Sequence, residues 1–184
     1  MREIRSPIPV KLFIGMLSPE PELFDICADI VSKEYGPIDY QSEMVSWTNS
    51  DFYQQEMGSG IIRKFIFFER LMDPGDLPAV KNNTIRIEKS LAVQTGNRTR
   101  RRINLDPGYV TEAKVVLATT KDYTHRLYIG KGIYAEVTLR YINKDRCFTP
   151  FDYTYFDYCS ETYKTMFNKA RDVLRTTLQR SARK

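Results

Sequence analysis

The sequence predicts an α+β fold whose core is ferredoxin-like, the split βαβ arrangement, and three observations carry that prediction. Apolar patterns up to residue 106 run in the order strand, helix, strand, strand, helix, strand. The two helical patterns are apolar along one side only, which places both on one face of a mainly antiparallel sheet. A β-hairpin pattern and a long amphipathic C-terminal pattern follow, and they supply material for the opposite face.

Residues 10–17, apolar from Leu12 to Leu17, read as a buried strand. Ser18 is placed to cap a helix beginning at Pro19, and Glu20 and Glu22 suit the positive end of its dipole. Leu23, Cys27, Ile30 and Val31 keep helical spacing, and Gly36-Pro37 ends the helix. Residues 38–47 read as the second strand, residues 50–57 as a short helical segment, and residues 61–71, rich in Phe and Ile, as the third strand. The turn signal Asp73-Pro74-Gly75 precedes a second long helix with Val80, Thr84, Ile87 and Leu91 on one face. Gly96 opens a basic loop, and residues 102–105 read as the fourth strand.

In the second half, residues 111–118 suit a short helix, although Val115-Val116 keeps a strand open. Residues 123–129 and 133–141 read as a hairpin around Gly130-Lys131-Gly132. Ser160 can cap a last helix with Tyr163, Met166, Phe167, Ala170, Val173 and Leu174 on its apolar side. No repeat or linker interrupts the chain, so residues 1–184 read as one domain. Its first half is residues 1–106, and residues 107–184 supply a hairpin, an aromatic segment and a basic helix packed on it.

Of the 184 residues, 42% are hydrophobic and 28% charged, enough for a core, and the formal net charge is +5. Residues 164–184 hold seven basic residues and one acid, so the rest of the chain is near neutral. That argues against a basic surface spread over the whole molecule. His125 is the single histidine, which excludes a zinc site built on two or three His. The three cysteines, Cys27, Cys147 and Cys159, form no C-x-x-C pair and suggest reduced thiols. No export signal is visible and no run approaches the ~20 apolar residues of a membrane helix. The expectation is a cytoplasmic protein without a membrane partner.

Several runs are distinctive: Asn104-Leu105-Asp106-Pro107-Gly108-Tyr109, Leu117-Ala118-Thr119-Thr120-Lys121-Asp122, His125-Arg126, and Gly132-Ile133-Tyr134-Ala135-Glu136-Val137-Thr138-Leu139. With Val10-Lys11-Leu12-Phe13 and Phe68-Glu69-Arg70-Leu71, they resemble a bacterial family of uncharacterised proteins catalogued as domain of unknown function 4416. The resemblance spans nearly the whole chain and implies no established activity. Members are at times labelled GTP-binding, but the G-x-x-x-x-G-K-[ST] loop is missing and no Lys-Ser/Thr follows Gly58-Ser59-Gly60.

Four constellations carry chemistry. Strand alternation puts Arg102, Asn104 and Asp106 on one face, with Ile103 and Leu105 on the other; the plainer account is a solvated face closed by an Asp-Pro-Gly turn. In the hairpin, Arg126 opposes Glu136 and Tyr128 opposes Tyr134, while Leu127 and His125 oppose Ala135 and Val137 on the apolar side. Arg126 is then either an ordinary cross-strand ion pair or a guanidinium held by Glu136 to receive an anion. Arg98, Arg100, Arg101 and Arg102 crowd one loop, either solvated or contacting phosphates. Phe148, Phe151, Tyr153, Tyr155, Phe156 and Tyr158 form an aromatic segment suited to covering a sheet or to stacking on bases.

The preferred expectation is a small-ligand-binding domain for an anion, a nucleotide or phosphorylated metabolite. Its site lies between the fourth strand and the hairpin, at Arg102, Asn104, Asp106, Tyr109, Thr120, Lys121, Arg126 and Glu136. Asp106 and Glu136 orient the bases or hold a divalent ion. His125 is the proton carrier if a reaction occurs, with Asp122 or Asp106 as partner. The cofactor, the oligomeric state and whether the protein is an enzyme stay open. The alternatives are an RNA-binding module using Arg98, Arg100, Arg101 and the aromatic segment, and a non-catalytic interaction domain whose C-terminal helix docks on a partner.

Overall fold

Nine consecutive buried residues make β1 (Val10–Ser18) the strand on which both faces of the sheet are built. The computed structural model describes residues 3–48, 51–96 and 98–181, the side chains of residues 51, 52 and 98 excepted. After β1 come α1 (Glu22–Tyr35), β2 (Ile38–Gln41), β3 (Val45–Ser46), α2 (Asp51–Met57), β4 (Ile62–Met72) and α3 (Leu77–Leu91). A small hairpin, β5 (Val93–Thr95) and β6 (Arg98–Arg100), leads to β7 (Asn104–Val110) and β8 (Lys114–Thr119). Then come β9 (Leu127–Gly130), β10 (Ile133–Ile142), β11 (Cys147–Pro150) and α4 (Glu161–Ser181).

The main sheet runs β11-β10-β8-β7-β1-β4-β2, with β3 beside β4 and β9 beside β10. Its pairings are antiparallel. The architecture is therefore α+β with an antiparallel sheet and a C-terminal helix. Leu12, Ile14 and Met16 point to the face covered by α1 and α3, where they meet Phe24, Cys27, Val80 and Ile87. The opposite face carries Phe13, Phe65 and Phe67, and α4 lays Tyr163, Met166, Phe167 and Ala170 across it. Phe167 meets the Phe13 ring edge-on at 5.0 Å between centroids. Ser160 caps this helix, its Oγ accepting the Tyr163 N–H at 3.3 Å. On the same face Gly108 gives Phe13 its place, since a Cβ there would lie 2.6 Å from Phe13 Cζ.

Several expectations change. The first helix starts at Glu22 rather than Pro19, because Ser18 Oγ accepts the Glu20 N–H in a tight turn and itself donates to the Arg102 carbonyl. Residues 38–47 divide into β2 and β3. The basic loop contains the β5–β6 hairpin. Residues 114–119 form a strand and not a helix, as the Val115-Val116 pair permits, and Thr111 holds the turn by accepting the Lys114 N–H.

The fourth strand extends to Val110, so Asp106-Pro107-Gly108 is not a turn. All three residues pair with β1, and the β8 ladder begins only at Gly108 opposite Leu117. Pro107 thus occupies a stretch with no partner on its β8 side, where a missing N–H is tolerated. On α4, Val173 is 41% exposed and Arg171 is buried in its stead, its guanidinium 3.5 Å from the Tyr141 ring centroid. Phe167→Ala should cost ~3–5 kcal/mol and Val173→Ala no more than about 0.5 kcal/mol, as read from urea unfolding of the two variants.

Candidate functional site

Between Asn104 and Pro107, β7 is paired on its β1 side and unpaired toward β8. The Leu105 backbone would be orphaned there, and α3 supplies the missing partners. Glu88 Oε1 accepts the Leu105 N–H at 2.6 Å, and Lys81 Nζ donates to the Leu105 carbonyl at 2.9 Å. Burial raises the Glu88 pKa, and the Lys81 charge works against that rise. With its backbone satisfied in this way, the sheet can stay parted, and a cleft of about 230 Å³ opens at the parting.

One wall of the cleft is built on Arg63 of β4. Its position, two residues before Phe65 on the same strand face, turns it inward, and its guanidinium lies over Gly15 of β1. A Cβ at Gly15 would come within 2.9 Å of Arg63 Nη1, so only glycine leaves it room. Arg63 Nη2 donates to Asp157 Oδ2 at 3.2 Å, and Nη1 stands 3.6 Å from Asp106 Oδ2. Trp47 Nε1 donates to the same Asp157 oxygen at 3.1 Å. Burial opposes the Arg63 charge, yet the surrounding Tyr158, Asp157, Tyr163 and Asp106 more than offset it and raise its pKa. Arg63 is 4% exposed and Tyr158 2%; Arg63 Nε, Arg63 Nη1 and the Tyr158 hydroxyl have no hydrogen-bond partner among the described residues, a state shared outside the cleft by Arg101 Nε.

The other wall is Arg126 with Glu136. Arg126 Nε donates to Glu136 Oε2 at 2.7 Å, and the side chains are only 2% and 1% exposed. Arg126 also donates to the Lys121 carbonyl at 3.2 Å and the Tyr155 hydroxyl at 2.9 Å, and it stacks on Tyr123. Burial works against its charge, and its bonds to Glu136 and Tyr155 overcome this to raise its pKa. The second Glu136 oxygen accepts from Thr138 Oγ1 at 3.2 Å. Every oxygen of this buried carboxylate is thereby occupied.

Of the residues singled out in the sequence, Asp106, Lys121, Arg126 and Glu136 line this cleft together. The others lie elsewhere. Arg102 is ion-paired with Glu20 beyond the start of β7, so the expected Arg102-Asn104-Asp106 face is divided. Asn104 is buried behind the cleft, accepting from Arg101 at 2.8 Å and donating to Asp106 at 2.7 Å. Tyr109 lies on the α3 side of the sheet, packed with Leu77, Val116, Ala118 and Ile133. Thr120 is exposed, and Thr119 lines the cleft in its place.

His125 does not oppose Val137. The β9 ladder stops at Leu127, and a turn with the Arg126 N–H donating to the Tyr123 carbonyl swings the ring around. His125 Nε2 then lies 3.1 Å from Glu136 Oε2, outside the cleft lining, with its ring stacked on Tyr153 at 4.4 Å. Leu127, expected on the apolar side, is 75% exposed. Asp106 and Glu136 are each engaged by cationic side chains, and no group of three or more His, Cys, Asp or Glu is placed to hold a metal ion among the described residues. In the arginine loop, Arg101 is ion-paired with Glu56 and Glu88, Arg100 is exposed, and the Arg98 side chain lies outside those described.

Sequence reasoning missed Arg63 and Asp157. The signal for Arg63 was a charged residue in phase with Phe65 and Phe67 on an apolar strand. Asp157 sits inside the aromatic segment, where no local pattern marks it.

A family model described as a domain of unknown function, DUF4416, matches residues 8–173. No curated protein and no solved structure matches the chain. No helix among the described residues is long and apolar enough to cross a membrane. Arg126→Met should destabilise the fold by ~3–5 kcal/mol by stranding a buried Glu136. Adding Glu136→Leu to that variant should recover most of the loss in urea unfolding.

Proposed function

The chain belongs to the DUF4416 family, and we propose that it is a small-molecule-binding domain whose ligand is an organic anion seated in the cleft between β7 and β8. The observation that carries this reading is the buried Arg63 guanidinium on the cleft wall: its Nε and Nη1 lack a hydrogen-bond partner of good geometry among the described residues, Nη1 keeping only the 3.6 Å ion pair with Asp106. Leaving such donors unmade costs a fold free energy, and native proteins rarely do so without a use. The Tyr158 hydroxyl beside them is equally unused. The oxygens of a carboxylate or a phosphate are the acceptors that such donors lack. Lys121 and Arg126 add positive charge along the same cleft.

We further read the core as split βαβ and the chain as one domain. The strand order β7-β1-β4-β2 supports the first reading, and the way α4 covers strands of both halves supports the second. The RNA reading has less behind it, because Arg101 and Arg102 are spent on Glu56, Glu88 and Glu20. A docking role for the C-terminal helix also has less, since its apolar side is buried on the sheet of its own chain. The reading gives no part to a divalent ion.

A thermal-shift screen of organic carboxylates and phosphates tests the proposal. A ligand raises the melting temperature saturably. Tyr158→Phe folds with unchanged or raised stability, because a buried hydroxyl without a partner is removed, and it weakens the ligand response by about tenfold. Arg63→Gln abolishes the response. A screen with no saturable shift, or a shift of equal size in both variants, refutes the reading.

A further inference from the structure

Resting on the cleft reading, we infer that the ligand is a single planar ring carrying one carboxylate, and not a polyphosphate. Charge decides against the polyphosphate. Three cations line the cleft, Arg63, Lys121 and Arg126, and three carboxylates line it with them, Asp106, Glu136 and Asp157. Lys81 reaches Asp106 from behind at 3.4 Å, but its own charge is met by Glu88, so the site has little positive charge to spare. A single negative charge adds least to that balance. Three or four would face Asp106 and Asp157, which already share Arg63, across a short distance in a site of low dielectric.

The walls indicate the ring. Trp47, Tyr53, Tyr155, Phe156 and Tyr158 all line the cleft, an aromatic share well suited to a flat π-surface. Phe156 is 80% exposed although it lines the cleft, so a large apolar side chain waits uncovered at the mouth. A ring whose carboxylate reaches Arg63 and Tyr158 gives Phe156 and Tyr155 the apolar surface they lack. Size agrees: about 230 Å³ falls below the roughly 300 Å³ at which pockets for drug-sized molecules begin. The donors agree as well. Arg63 Nη1 and the Tyr158 hydroxyl are both without a hydrogen-bond partner among the described residues, and a carboxylate has two oxygens to offer them.

Calorimetric titration of the full chain at fixed ionic strength with benzoate, benzamide, cyclohexanecarboxylate and ATP tests the inference. Benzoate binds about tenfold more tightly than benzamide, which lacks the charge. It binds several-fold more tightly than cyclohexanecarboxylate, which lacks the flat ring. ATP binds more weakly than benzoate. Phe156→Ala narrows the gap between benzoate and cyclohexanecarboxylate without altering the melting temperature of the free protein. Equal affinity of benzoate with either neutral or saturated analogue overturns the inference. Tighter ATP binding that Arg63→Gln abolishes overturns it too, while leaving the cleft reading in place. Absence of benzoate binding overturns it as well, and the wider screen of carboxylates and phosphates then decides whether the cleft reading falls with it.

Discussion

A sheet can part only where the backbone groups it abandons find other partners, and in this protein that condition is met at one residue. Leu105 gives its N–H to Glu88 and receives Lys81 on its carbonyl, so two charged side chains of α3 do the work of an absent strand. Both are buried, Lys81 at 6% and Glu88 at 7% exposure, and their opposite charges make that burial tolerable. Everything on the functional face follows. Asp106 is released from cross-strand pairing toward β8, the cleft opens beneath it, and Arg63 gains a partner on the far side of Gly15.

The cleft is built from compensated charges. Each buried guanidinium has at least one carboxylate, and each carboxylate has a second support: Trp47 for Asp157, Thr138 for Glu136, Asn104 for Asp106. Such networks hold side chains in fixed geometry because any departure strands a charge in a medium that solvates it poorly. The Arg126 corner is closed in this sense, with Nε, Nη1 and Nη2 all donating. The Arg63 corner is not, and the contrast between two similar pairs in one cleft distinguishes a structural arginine from one held ready for a ligand.

Much of the fold was legible because it follows from short-range periodicity. The apolar stretch within residues 10–17, the helical spacing of Val80, Thr84 and Ile87, and the apolar side of the last helix apart from Val173 reach the structure as read. Two of the misreadings share a cause, which is that tertiary pairing overrode local sequence preference. Asp106-Pro107-Gly108 has the composition of a turn but is held straight by β1, and 114–119 is drawn into a strand between β7 and β10. For the candidate site, Asp106, Lys121, Arg126 and Glu136 were visible as polar residues flanking predicted strands. Arg63 and Asp157 lie 94 residues apart in sequence, and no local window links them. His125 was assigned the wrong side because one turn at Tyr123 reverses the alternation on which the assignment rested.

The way α4 completes the sheet bears on how the molecule comes into being. Phe13, Phe65 and Phe67 belong to strands synthesised well before their cover, Phe167. A nascent chain can assemble β1, β4, α1 and α3 and still present an uncovered aromatic sheet face to its surroundings. Closure depends on contacts between residues far apart in sequence, which form slowly. The interval before the last helix docks is therefore the period of greatest exposure to aggregation, and the basic residues of that helix keep its outer side soluble while it waits.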